Sequence, residues 1–227
     1  MSLKVYENLE QGSDEWLEAR RGIVTASTVG QLITPSTLKP ASNPASRALV
    51  QTLVAERVSG WVEPSFTTAD MWRGIESEPI ARDLYAEKYA PVTECGFMVR
   101  TETDWQLGFS PDGVVGDDGL IEVKAPRPKS HVATILSGEV PGYHMAQIQA
   151  GLLVSGRSWC DYISFCGGLP MWTKRVHRDE RWHDAITDAV TAFERIAAEM
   201  VARWATETHG LPRTDRLPDF ENVELHL

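Results

Sequence analysis

Cysteine is scarce in this chain. Cys95, Cys160 and Cys166 are the three in 227 residues. An odd number without the close paired spacing of a metal cluster argues against both a zinc site and a disulfide framework, and for a reducing compartment. Long apolar runs are missing too: no stretch approaches the ~20 residues of a membrane span, and the opening MSLKVYENLEQGSDEW is too polar for a secretory leader. These absences predict a soluble, cytoplasmic protein with no membrane partner. Positive charge is also short, with 22 Lys and Arg against 32 Asp and Glu and a formal net charge of −10. That balance excludes a generally basic nucleic-acid coat, because phosphate binding depends on Lys and Arg displacing counterions. If DNA is the partner, cations must be gathered locally. There is no repeat and no low-complexity tract.

What is present is enough apolar content, 42%, to bury a substantial core in a single domain over residues 1–227. DEWLEARRGIVTASTVGQLI reads as two short helices, the first capped by Asp14 and the second by Thr25 or Ser27. TPSTLKPASNP is a long polar loop, and SRALVQTLVAERVSG a helix stopped at Gly60. Residues 69–90 carry a helical pattern with Trp72, Ile80, Leu84 and Tyr85 as core candidates and a kink or restart near Glu78, because Pro79 disrupts a helix interior. CGFMVRT, WQLGFSPDGVVG, GLIEVKAP, WCDYISFCG and MWTKRVHRD read as strands, interrupted by the helix YHMAQIQAGLLVSG. Near the C-terminus Ile186, Val190, Phe193, Ala197 and Trp204 recur at helical spacing, ahead of an extended tail over 210–227. The expectation is an α/β fold with a central mixed β-sheet flanked by helices.

The informative stretch is GFSPDGVVGDDGLIEVKAPRP, residues 108–128. In a strand, Glu122 and Lys124 share one face while Ile121 and Val123 take the other. The GDDG turn folds the preceding strand back and brings Asp112 toward Glu122. Two carboxylates beside an ammonium suit Mg²⁺, which keeps several waters and takes one or two carboxylates plus substrate phosphate. The bland account is a surface hairpin with a solvated Glu–Lys pair.

At these residues SPDG followed by EVK resembles the PD-(D/E)xK nuclease signature of restriction-endonuclease-like folds. Together with Trp16-LEA-Arg20-R-Gly22-IVTAS, Trp72-R-Gly74-IES-Glu78 and HMAQIQ, in that order, the chain resembles the lambda exonuclease family, the YqaJ viral recombinases, over roughly residues 10–155. The resemblance implies a restriction-endonuclease-like core and an exonuclease that digests one strand of linear duplex DNA processively from its 5′ end, leaving 3′ overhangs. It implies Mg²⁺, two per site with Mn²⁺ as a substitute, a ring-shaped homotrimer acting on double-stranded DNA ends, and a single-strand annealing protein as partner in a phage or prophage recombination pair.

By the same resemblance Asp112 and Glu122 are metal ligands with the carbonyl of Val123, Lys124 is the catalytic lysine, and Glu78 is a further acid, preferred over Glu76. Of two helix glutamines that cannot face one direction, Gln149 is preferred over Gln147 as the one that orients the site. Arg20, Ser27 and Ser110 match the pocket for the 5′ phosphate, where a guanidinium fork, hydroxyls and the amides of a helix beginning near Ser27 suit an anion. Lys39, Arg47 and Arg73 are candidates to track the backbone and Trp72 to split the end pair; His144 has no assigned ligand role. Two other readings remain open: an endonuclease or junction resolvase, and a noncatalytic DNA-end or annealing-protein adaptor.

Overall fold

The structure, a computed structural model, describes residues 2–62 and 68–216. Along the chain run β1 (Ser2–Tyr6), α1 (Asp14–Arg20), α2 (Ala26–Val29), the short strands β2 (Ile33–Thr34) and β3 (Lys39–Pro40), α3 (Pro44–Ser59) and α4 (Ala69–Lys88). Then follow β4 (Phe97–Thr101), β5 (Gln106–Phe109), β6 (Gly113–Val115), β7 (Gly119–Lys124), α5 (Pro128–Ser137), α6 (Met145–Ser155), β8 (Trp159–Ser164), β9 (Trp172–His177) and α7 (Glu180–Glu207). The architecture is mixed α/β, with helices packed on a mixed sheet. The tail expected over 210–227 lies outside the described residues from 217 onward, and residues 211–216 form neither helix nor strand.

Instead of one central sheet the described strands make two larger ones and a hairpin. An antiparallel sheet has the order β1-β4-β5, a four-stranded sheet the order β6-β7-β8-β9, and β2 pairs with β3 inside the segment expected to be a loop. The division falls at Ser110–Asp112, where Pro111 has no N–H to donate and the ladder cannot run on. Beyond it β6 pairs antiparallel with β7, which pairs in parallel with β8 in a register that sets Glu122 opposite Tyr162 and Lys124 opposite Ser164. β1 and α5 were not foreseen; β1 is mostly exposed and lacks the inside–outside alternation that marks a strand.

The larger core lies among α2, α3, α6, α7 and the strands β4, β5 and β8. Ile186, Val190, Phe193 and Ala197 of α7 are buried as their spacing requires, whereas Trp204 projects into solvent. A bidentate Arg57–Glu194 pair, both bonds 2.8 Å, ties α3 to α7 while the Arg57 guanidinium stacks over Phe193. α6 is enclosed on nearly every side, and a β-carbon at Gly151 would come within 2.7 Å of the Phe109 ring, so only glycine permits this approach of helix to strand.

Gly60 ends α3 with a left-handed φ of 71°, as expected. The cap of α1 is Ser13, whose hydroxyl accepts from the Trp16 amide, rather than Asp14. α2 is capped at Thr25 and is one turn long, with the Thr28 and Val29 amides bonded to the Thr25 carbonyl. α4 runs unbroken through Pro79, which lies on its exposed side; there water can serve the carbonyl whose helix bond a proline removes. Of its predicted core residues only Tyr85 is buried; Trp72, Ile80 and Leu84 are exposed, and Ala81 takes the inward position.

Candidate active site

β7 carries the centre of the site. Glu122, 1% exposed, and Lys124 lie on one face of the strand, and Lys124 Nζ meets Glu122 Oε1 at 2.6 Å. Asp112 comes from the turn before β6, and its Oδ2 accepts from the Val123 amide at 2.6 Å. The hairpin therefore brings the two carboxylates and the ammonium together in the arrangement inferred from strand alternation. Glu78 approaches from α4 and is paired with Arg82 one turn further on.

The buried charges act on one another at short range. Burial, then the neighbouring Glu122 and Glu78 carboxylates, push Asp112 well above its ordinary pKa. Glu78 is raised as well, by burial, against the opposing pull of Arg82. Burial alone would lower Lys124, but Glu122 and Asp112 outweigh it and hold the ammonium above its usual range. Repulsion among acids gathered in a dry place is the condition a cation relieves. Among the described residues no three His, Cys, Asp or Glu side chains converge as a ready metal cluster; the hard oxygen donors available are Asp112 and Glu122, with Glu78 held to one side by Arg82.

The glutamine assignment needs correction. Gln147 Nε2 donates to Glu122 Oε1 at 2.6 Å. Gln149, fully buried, turns away: its Nε2 donates to the His177 carbonyl and its Oε1 accepts from the Asp179 amide, joining the end of β9 to the start of α7. A separation of two residues on a helix puts the pair about 200° apart, and the sequence alone could not tell which side faced β7.

A cleft of about 500 Å³ opens over these groups and is lined by Glu78, Asp112, Val123, Lys124 and Gln147. The same cleft is lined by Arg20, Ser27 and Ser110. Arg20 stacks on the Trp16 ring, 4.0 Å from its centre, and reaches Thr25 Oγ1 at 3.5 Å; burial lowers its pKa without endangering its charge. Thr25 Oγ1 in turn lies 3.1 Å from Ser27 Oγ, and Ser110 Oγ accepts from the Trp16 indole at 3.0 Å. Trp16 and Thr25 were missed as members of this group; the helical position of Trp16 relative to Arg20, i and i+4, was the available signal.

His144 lines the cleft beside Tyr143, its ring 4.3 Å from that of Tyr143 and 5.5 Å from that of Tyr162. Burial, then Lys124, lowers its pKa to about 4, so the imidazole is neutral at physiological pH. Arg73 is anchored at the rim, donating to the Ala125 carbonyl and pairing with Asp70. Trp72 is 56% exposed on the same helix. Lys39, on β3, and Arg47, near the start of α3, do not line this cleft.

The mixed α/β fold built around this cleft is the fold of alkaline exonucleases. An alkaline exonuclease from Laribacter hongkongensis, LHK-Exo, superposes with a TM-score of 0.78 at 32% identity, over 88% of this chain and 100% of that one. Its complex with dAMP gives 0.77 at 33% identity over the same shares. A phage-related exonuclease from Haemophilus somnus 129PT shares the fold at 13% identity, TM-score 0.64, over 80% of this chain and 96% of that one. No curated protein matches the chain in sequence. The family model for the YqaJ-like viral recombinase domain matches residues 15–158, and the chain belongs to that family.

Proposed function

We propose that this protein is a Mg²⁺-dependent deoxyribonuclease that digests one strand of linear duplex DNA in the 5′ to 3′ direction, processively and with preference for 5′-phosphorylated ends. The observation that carries the reading is a single cleft lined at once by Glu78, Asp112 and Lys124 and by Arg20, Ser27 and Ser110. A group of hydrolytic character and a group suited to phosphate share one space, so a terminal phosphate held by the second leaves a nearby phosphodiester at the first. The active core is of the PD-(D/E)xK type, with Asp112 and the Glu122-x-Lys124 pair filling the pattern.

Asp112 and Glu122, with the Val123 carbonyl, would hold the metal, and their crowded, partly uncompensated negative charge fits a hard divalent cation. We propose two ions per site, Mn²⁺ being able to replace Mg²⁺. When bound, the ion supplies charge neutralisation at the scissile phosphate and lowers the pKa of a water ligand. Gln147 fixes the rotamer of Glu122. Lys124, kept protonated by Glu122, acts as a cation and hydrogen-bond donor toward a phosphate oxygen rather than as a base. Arg20 offers a guanidinium pre-oriented by Trp16, and Ser27 and Ser110 offer hydroxyls to the terminal phosphate. A cut that leaves a new 5′ phosphate on the shortened strand regenerates the group this pocket binds, which supports successive rounds without release.

The resulting 3′ overhang is the substrate of a single-strand annealing protein, the proposed partner in phage-type recombination, and the proposed assembly is a homotrimeric ring around the duplex. The test is digestion of linear duplex labelled at each 5′ end, bearing 5′ phosphate or 5′ hydroxyl, with Mg²⁺ or EDTA. Mg²⁺-dependent loss from phosphorylated ends, abolished by Lys124→Ala, is expected, with covalently closed circles left intact. Internal cuts in closed circles would replace the exonuclease with an endonuclease or junction resolvase; folded, Mg²⁺-supplied protein that cuts nothing would leave only the noncatalytic adaptor.

A further inference from the structure

Arg82 has no part in the chemistry above, yet two of the acids are held by it. It projects from α4 one turn after Glu78, and its guanidinium is divided among three segments of chain. Nη2 pairs with the Glu78 carboxylate, Nη1 reaches Glu94 Oε2 at 2.8 Å, and Nε donates to the backbone carbonyl of Asp112 at 2.9 Å. Three partners in three directions use the planar fork of arginine; the point charge of lysine on its flexible stem cannot meet them together. Glu78 and Asp112 also form a wall between two hollows. Both line the cleft, and both line a second cavity of about 430 Å³ whose lining includes Arg82 and Glu94 but not Lys124 or Arg20. Arg82 therefore braces the two acids from behind, on the side away from the proposed substrate.

We infer that Arg82 is a positioning residue that sets Glu78 and the Asp112 turn for divalent-cation binding. The inference rests on the metal-dependent reading above. Bonding the Asp112 carbonyl fixes the peptide from which its carboxylate is aimed, and pairing Glu78 fixes one rotamer of a side chain otherwise free to swing. Both acids are then pre-oriented, so a cation need not order them on arrival. Partners that orient metal-binding groups typically change metal affinity about 10–100-fold when removed.

The test is thermal unfolding of wild type, Arg82→Met and Arg82→Lys across a Mg²⁺ titration without DNA, with the surface variant Arg195→Met as a control for lost charge. The Mg²⁺ midpoint, taken as the apparent Kd fitted to the logarithmic rise of Tm with Mg²⁺, is expected to increase at least 10-fold in both Arg82 variants, and to stay within 2-fold of wild type in Arg195→Met. Cleavage of phosphorylated linear duplex should show the same displaced Mg²⁺ dependence, with kcat reduced and KM for DNA little changed. Arg82→Lys keeps the charge and carries the test if Arg82→Met does not fold. A lower Tm in EDTA with an unshifted Mg²⁺ midpoint would make Arg82 a structural staple only, and a midpoint shifted to lower Mg²⁺ would make it a competing cation; either overturns the inference alone. Wild type that neither gains Tm with Mg²⁺ nor cleaves DNA overturns the functional reading as well.

Discussion

At the scale of single residues the two glutamines of α6 separate chemistry from architecture. Gln147 touches Glu122, whereas Gln149 satisfies a carbonyl and an amide at the β9–α7 junction. Gln147→Leu should reduce cleavage by 10-fold or more at nearly unchanged stability. Gln149→Leu strands two buried backbone groups and should cost about 2 kcal/mol, read as a lower urea midpoint. A reversal of these outcomes would return the assignment to Gln149. Asp112 makes a second prediction, with its sign fixed by linkage. Its carboxyl is raised in the folded state, so its contribution to stability is present at low pH and is lost as pH rises past the unfolded value of about 4. In EDTA, Asp112→Asn, which keeps an oxygen for the Val123 amide, should melt above wild type at pH 7.5, with the gap closing toward pH 4. Mg²⁺ should raise the Tm of wild type and not of the variant. The sequence made Glu122 and Lys124 legible because a strand with period two leaves no freedom about which side chains share a face, and Asp112 because the GDDG turn folds its segment back beside them. It could not choose between Gln147 and Gln149, because a helix enclosed on all sides has no polar face to orient it.

Among the elements, α4 shows how a helix can carry site residues with few core residues of its own. Its buried side chains are Ala81 and Tyr85, and the Tyr85 hydroxyl donates at 2.6 Å to Asp161, which Arg175 grips from β9 with two bonds of 2.8 Å. This polar anchor joins the helix bearing Glu78 and Arg82 to the β8–β9 pair. Tyr85→Phe should therefore lower stability by about 1–2 kcal/mol with an unchanged m-value, and should lower kcat more than it weakens DNA binding. Unaltered stability would show that the anchor is redundant. Trp72, Ile80 and Leu84 were misread as core because apolar residues at helical spacing say that one face is apolar and nothing about what covers it. β1 was missed for the converse reason: its partner β4 lies more than ninety residues away, and its polar–apolar alternation, Ser2 to Val5, is too short to stand out when neither face is buried.

Across the whole molecule the formal charge of −10 and the cations of the cleft make opposite demands on a DNA-binding protein. Local attraction working against general repulsion predicts a KM for DNA that rises steeply with salt, as a straight line of log KM against log salt concentration; a flat line would exclude phosphate contacts as the basis of binding. The mixed α/β class was legible from the succession of strand and helix patterns. The division into two larger sheets was not, because it depends on which strands meet in space, and only Pro111 hinted at a broken ladder. That division has a mechanical meaning. Glu122 and Lys124 ride together on β7, so their spacing is a property of one rigid strand. Asp112 sits in the short link between the sheets, where its carboxylate takes the Val123 amide of β7 and its carbonyl takes the Arg82 guanidinium. The link is thus a clasp: the acid at the joint between the sheets is fastened to the strand that carries the other two charges, so a change that loosens the Arg82 brace alters the gap between them while every side chain that lines the cleft stays the same.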